Sequence, residues 1–293
     1  MDWCLNFQLL ATGLAMGSIY ALVALGFVLI FNAVNVVNFA QGEFVMVPAF
    51  VAVWFISYLK IPFPLAYLLT LIFMGIFGIV FQRIAYYPLR NRSFLPVIIS
   101  TIGVSIFLKN AAQIVFGAEP QLMPRPTSPD VLNIRGVCVD PQHVVIIGVT
   151  LVLLIFQYLF FEKTSLGKKM QATAQDKEMA RLLGIRVSVM IVITFVYSSM
   201  LGAAAGILIG PIFYVSKEMG AMLGLKAFCS TIVGGFGSVP GAILGGIFLG
   251  LVEVFSSYYI SSAYRDAFAF IILILVLLVR PQGFFDEKIA EKA

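Results

Sequence analysis

Eight apolar stretches separated by short polar connectors constrain this chain more than any motif in it. They run over 9–31, 45–59, 65–82, 94–116, 144–161, 189–214, 243–259 and 267–279. About 20 apolar residues in a helix match the hydrocarbon thickness of a bilayer. Several stretches are shorter than that, so their flanks must complete them. A further short stretch, 225–235, ends in Gly234-Gly235 and predicts a half-helix or broken pass. Irregular backbone at membrane depth is tolerated only where protein buries it or where it lines a cavity. Of the 293 residues, 61% are apolar and 11% charged. That is too few charges to cover a water-facing enzyme and too much apolar surface for a disordered chain. The expected fold is all-α: one polytopic transmembrane helix bundle over residues 1–293.

The basic residues sort the connectors. Arg83, Arg90 and Arg92 follow the third stretch. Lys163, Lys168, Lys169, Lys177, Arg181 and Arg186 follow the fifth, and Arg280, Lys288 and Lys292 the last. Those regions hold twelve basic residues, and the remaining loops hold five: Lys60, Arg125, Arg135, Lys217 and Arg265. The positive-inside rule then places the N-terminus outside and the C-terminus in the cytoplasm. Opposite ends need an odd number of crossings. The 225–235 stretch therefore crosses as well, giving nine passes from eight clear segments. The net charge of +5 is accounted for by topology rather than by nucleic acid. The 118–142 loop, with five prolines, is expected to be extracytoplasmic and ordered, with a small hairpin over 131–139. Met1 to Phe7 carry no basic leader, so the first stretch is expected to be a retained span rather than a cleaved signal.

Several chemistries are excluded. No G-x-x-x-x-G-K-[ST] phosphate loop and no H-E-x-x-H occur. His143 is the single histidine, expected at a helix start, and Cys4, Cys138 and Cys229 have no metal spacing. Gly103-Val104-Ser105 lacks a histidine partner. No catalytic residue, metal or cofactor is expected on this chain. Glycines four apart, at Gly13/Gly17, Gly202/Gly206/Gly210, Gly241/Gly245 and Gly246/Gly250, predict closely packed helices.

Three polar regions stand out. The 162–187 loop reads as helical from Gly167 to Leu183, with Gly184 as its stop. Its apolar end and sharp glycine stop favour a short amphipathic helix that docks into a partner's groove over a solvated linker. Asp176, Glu178, Arg181, Leu182 and Gly184 are the expected coupling contacts. Asn32, Asn35, Asn38, Gln41 and Glu43 follow the first stretch. Unpaired amides in hydrocarbon are costly, so these form either a turn with satisfied amides or a polar lining for a solute. The fourth stretch carries Ser100, Thr101, Ser105, Lys109, Asn110 and Gln113. Asn35, Asn38, Gln41, Ser100 and Thr101 are the expected translocation route. Lys109 must face a wet cavity, meet another subunit or snorkel outward, and Glu253 is either functional or in a structural ion pair.

These residues carry a resemblance. Gly17-Ser18-Ile19-Tyr20-Ala21-Leu22 and Val37-Asn38-Phe39-Ala40-Gln41-Gly42-Glu43 resemble the opening of the Liv-type branched-chain amino acid ABC importer permeases. That family usually has histidine where this chain has Gln41. Ser100-Thr101-Ile102-Gly103-Val104-Ser105 is similar to its fourth segment. Ala172 to Ile185 resembles its cytoplasmic coupling segment, with Met179 where alanine is common. Gly224-Leu225-Lys226-Ala227-Phe228, the 234–241 turn, Tyr264-Arg265-Asp266 and Arg280-Pro281-Gln282-Gly283 extend the likeness along nearly the whole chain, in the manner of the H-type subunit.

The resemblance implies a permease subunit in a bacterial inner membrane. It would pair with a second homologous permease subunit, two cytoplasmic ATPases that hold ATP and Mg, and an extracytoplasmic solute-binding protein. Branched-chain or other neutral amino acids are the leading solutes, and urea or short amides the alternative. A stand-alone secondary transporter or channel is the rival. It would need coupling acids at the midplane, where Glu253 and Glu43 are the candidates.

Overall fold

The computed structural model describes residues 3–127, 132–134 and 137–285. Of the residues named above, Met1, Arg135, Lys288 and Lys292 lie outside that range, as does part of the 131–139 hairpin. The described residues contain eight helical stretches long and apolar enough to cross a membrane: Trp3–Val34, Phe39–Tyr58, Phe63–Leu89, Phe94–Phe116, Pro141–Lys163, Val187–Ile209, Val239–Tyr259 and Ser262–Val279. Each overlaps one of the eight expected segments.

Helix α1 (Trp3–Val34) is the axis of the bundle. From Ala15 to Ile30 it is buried on every side, the condition of a central helix. It runs antiparallel to α10 (Val239–Tyr259), and small residues let the two backbones touch. A Cβ on Gly17 would lie 2.7 Å from the Ile247 Cα, and one on Gly250 only 2.3 Å from the Gly17 nitrogen. At the seam's ends, the Asn32 amide donates to the Gly237 carbonyl at 2.8 Å and the Tyr259 hydroxyl to Asn6 at 2.6 Å. Without a hydrophobic driving force between helices in lipid, such close van der Waals packing carries the association. Gly202 and Gly206 of α8 (Val187–Ile209) seat against the Phe44 and Val45 carbonyls of α2 (Glu43–Val53) in the same way.

The second span is discontinuous. Helix α1 ends at Val34, and Asn35 turns the chain with φ 57°, a left-handed conformation that asparagine tolerates. Val36 and Val37 belong to no helix. A single turn, Phe39–Gln41, precedes α2. Gln41 packs against Gly26, so the chain has folded back along about 12 Å of α1 before α2 starts inside the bundle. The expected broken element was placed only at 225–235; the structure has this second one.

Helix α9 (Met219–Gly234) begins six residues earlier than the expected stretch. Its 16 residues rise about 24 Å, short of the roughly 30 Å hydrocarbon core. It is antiparallel to α10, with Ser230 beside Gly245 and Gly234 beside Gly241. Helices α3 (Phe63–Phe81), α4 (Phe94–Phe116), α5 (Pro141–Lys163) and α11 (Arg265–Val279) form the periphery. They expose apolar rows such as Ile99, Ile106 and Ile114, or Leu151 and Ile155. Between α4 and α5, β1 (Leu132–Ile134) pairs antiparallel with β2 (Val137–Val139), as the loop sequence suggested. His143 sits in the first turn of α5.

The polar loop folds into two helices rather than one. Helix α6 (Ser165–Gln175) stops at Asp176, whose backbone is extended (φ −150°, ψ 113°), and α7 (Lys177–Leu182) starts there. The Asp176 carboxylate accepts from the Glu178 and Met179 amides at 2.8 and 3.1 Å, the signature of an N-cap. A cap residue read as helix interior is what hid the break. Gly184 (φ 76°) ends α7 as expected. Its N–H donates to the Arg181 carbonyl and that of Ile185 to Ala180, the paired bonds of a Schellman stop.

Candidate functional site

The re-entrant turn 38–43 frames a cavity of about 250 Å³ between α1, α2, α4 and α9. The turn is built by its own side chains. Asn38 caps it, its Oδ1 accepting from the Ala40 amide at 3.1 Å. The Phe39 amide donates to Thr101 Oγ1 at 3.3 Å, and Thr101 donates on to the Ile98 carbonyl. Gln41 is fully buried, its side chain 3.0 Å from the Ser198 hydroxyl, which is also 3.0 Å from the Gly26 carbonyl. These bonds hold a turn at membrane depth whose backbone, among the described residues, finds backbone partners only within itself and at the start of α2.

What the turn presents is Glu43, at the start of α2 and 2% exposed. Ser105, one helical turn beyond Thr101, donates to its Oε1 at 3.0 Å. Its Oε2 is buried with no hydrogen-bond partner among the described residues. Gly42, Gly220 and Gly224 form the wall beside it. A Cβ on Gly42 would lie 2.2 Å from the Gly220 carbonyl oxygen, so only glycine lets α9 close on the turn. Phe27, Phe39 and Phe228 make an aromatic side, with Phe228 5.7 and 5.8 Å from the other two rings, and Ile102 and Leu225 complete it.

Of the five expected route residues, the structure brings Asn38, Gln41 and Thr101 together as supports of the turn. Asn35 is exposed at the end of α1, and Ser100 donates to the Ala85 carbonyl at 3.0 Å, tying α4 to the end of the third span. Glu43 and Ser105, which line the cavity, belong to the two polar clusters noted in the sequence but not to the five expected route residues. The signal was present: an acid inside an apolar span is a functional candidate by default, and Ser105 follows Thr101 by four.

A second polar cluster lies between α1, α9, α10 and α11. Glu253 is buried and accepts from Tyr20 at 2.6 Å, Lys226 at 2.9 Å and Arg265 at 2.5 Å; Lys226 also meets Asp266 at 2.6 Å. Glu253 is thus in a structural ion pair. Lys109 pairs with Glu218 at the start of α9. Lys217 donates to Gln113 at 2.7 Å.

The expected coupling residues gather on α7. Glu178, Arg181 and Leu182 are exposed, with Leu182 at 81%, beside exposed Met179 and Leu183. Ala180 is buried toward the bundle. Partial burial, and the Arg181 charge beside it, lower the Lys177 ammonium pKa below its ordinary value. Among the described residues no group of histidine, cysteine or acidic side chains could hold a metal.

Residues 9–277 match the family model described as branched-chain amino acid transport system / permease component. The chain is 35% identical to the high-affinity branched-chain amino acid transport system permease protein BraD of Pseudomonas aeruginosa, over 97% of each chain. It is 34% identical to the LivH permease protein of the corresponding Escherichia coli K12 system, again over 97% of each. Among solved structures it is similar in fold to a chain of PsaBC from Streptococcus pneumoniae in complex with Fab, with a TM-score of 0.50 and 13% identity over 92% of this chain and 91% of that one.

Proposed function

The chain belongs to the family of permease components of branched-chain amino acid transport systems, and on that premise we propose that it is one membrane-spanning half of a binding-protein-dependent ABC importer for branched-chain or other neutral amino acids. A second, related permease subunit completes the pathway. Two cytoplasmic ATPases supply the ATP and Mg, and an extracytoplasmic protein delivers solute. The subunit sits as a multi-pass protein in the inner membrane. Urea and short amides find no support among the relatives.

The observation that carries this reading is the α6–α7 pair. A helix capped at both ends presents Met179, Leu182 and Leu183 to the outside while Gly167, Met170, Thr173 and Ala180 are buried toward the bundle. An exposed apolar tip held this rigidly is a groove ligand. Helix pairing supports its place on the cytoplasmic face. Gln142 of α5 bonds the Leu208 carbonyl, so α5 and α8 meet at the end remote from 163–187. Gln121 pairs with Val215 at that same remote end, from which α9 runs back to the 235–238 turn near the end of α1. That ordering supports nine traversals, termini on opposite faces, and α6–α7 on the side of the C-terminus. It also supports 118–142 as the extracytoplasmic loop.

In the mechanism proposed, closure of the ATPases pushes α7. Helix α6 passes the push to α5 through Gly167, whose Cβ position lies 2.3 Å from the Phe160 carbonyl oxygen, and the bundle alternates its access. Replacing Arg181 and Leu182 together with alanine is expected to abolish ATP-driven leucine uptake and solute-stimulated hydrolysis in proteoliposomes, while the permease pair still assembles. Uptake at the wild-type rate would defeat the proposal.

A further inference from the structure

Glu43 has a feature that no structural role explains. Its carboxylate is 98% withdrawn from solvent, yet only one oxygen has a donor. A buried acceptor left unmade costs the full desolvation of that oxygen, and Lys109, the cation whose charge reaches Glu43, is itself paired with Glu218. The remaining oxygen belongs to a residue that lines a cavity, and apart from Ser105 the other side chains lining it are apolar or aromatic. Beside it stand Gly220 and Ala221, from the first turn of α9, where a helix carries positive partial charge and where Glu218 is already paired with Lys109. A ligand that satisfies all three surfaces has a cationic donor, an anionic or neutral acceptor next to it, and an aliphatic body.

The geometry points to Glu43 as the residue that binds the primary ammonium group of the transported amino acid. The solute's side chain lies against Phe27, Phe39 and Phe228, and its carboxylate toward the start of α9. Ser105 is a positioning residue: its hydroxyl occupies Oε1 and leaves Oε2 for the solute. Such a charge-assisted bond is stronger than a neutral one, and the cavity, about 250 Å³, is below the range of drug-sized sites and suits a small solute. The assignment rests on the permease reading above and deepens it, because it says how this chain, apart from any binding protein, recognises an α-amino acid.

The test uses the assembled complex in nanodiscs without its binding protein. Cys4, Cys138 and Cys229 are replaced by alanine, and Ala221→Cys reports cavity access by maleimide labelling. Leucine and 3-methylbutylamine, which share the ammonium, are expected to protect the cysteine. 4-Methylpentanoate, which keeps the aliphatic body and carboxylate but lacks the ammonium, is expected not to. Glu43→Gln should raise the leucine concentration for half-protection about tenfold or more. Glu43→Asp should raise it less and keep the discrimination. Equal protection by leucine and 4-methylpentanoate overturns the assignment with no variant needed, as does an unchanged leucine concentration in Glu43→Gln. Protection that needs phosphatidylethanolamine in the nanodisc rather than leucine gives the site to a lipid headgroup and also overturns it. ATP-driven leucine uptake by the same complex with its binding protein present is scored separately. Uptake without ammonium discrimination removes the Glu43 assignment alone, and absence of uptake removes the permease reading.

Discussion

Two acids are buried in this bundle at nearly the same depth from solvent, and their surroundings are opposite. Glu253 is 1% exposed and receives a phenol, an ammonium and a guanidinium. Glu43 is 2% exposed and receives one hydroxyl. Glu253 lies beside the glycine seam of α1 and α10, where backbones touch and no space is left. Glu43 lies where glycines bring α9 against a turn but leave a cavity open. Burial alone therefore does not distinguish structure from function. The number of lone pairs already taken does.

Substitutions ranked by expected effect probe that contrast. The largest belongs to the seam itself: Gly17→Leu places a branched side chain where even a Cβ meets Ile247 at 2.7 Å, so no folded protein should be recovered from the membrane on size exclusion. Next, Glu253→Gln leaves Lys226 and Arg265 without their shared anion. It should lower stability in detergent by about 3 kcal/mol, read as a drop in melting temperature. Tyr20→Phe removes one of the three donors and should cost about 1 kcal/mol by the same measurement. Glu43→Gln should change melting by less than about 0.5 kcal/mol, because it removes an incompletely paired charge. If Glu43→Gln proved as destabilising as Glu253→Gln, the two sites would be alike and the contrast would fail.

The sequence announced what depends on local pattern. The eight spans follow from runs of apolar residues, the close packing of helices, though not which helices pair, from glycines four apart, and the end of α7 from Gly184. It hid what depends on distant partners. Tyr20 and Glu253 are 233 residues apart and Ser105 and Glu43 are 62 apart, so neither bond has a local signature. The break at Asp176 was missed for another reason: good helix formers surround it, and their summed propensity masks one cap. Helix α9 starts ahead of the expected stretch, directly after Glu218 and after Lys217, which was counted with the loop cations; both side chains have partners on α4.

The fold-back after Asn35 has a consequence for biogenesis. Helix α2 and the turn before it are shielded by α8 and α9, which leave the ribosome roughly 145 and 175 residues later. Until then, the turn has α1 and α4 beside it but lacks Ser198 of α8 and the glycine wall of α9, and hydrocarbon does not tolerate free peptide groups. The second span must therefore wait, held near the interface or by a chaperone, and take its seat only when the C-terminal half arrives. Truncations that stop before α8 should leave this hairpin open to proteases that cannot reach it in the finished protein.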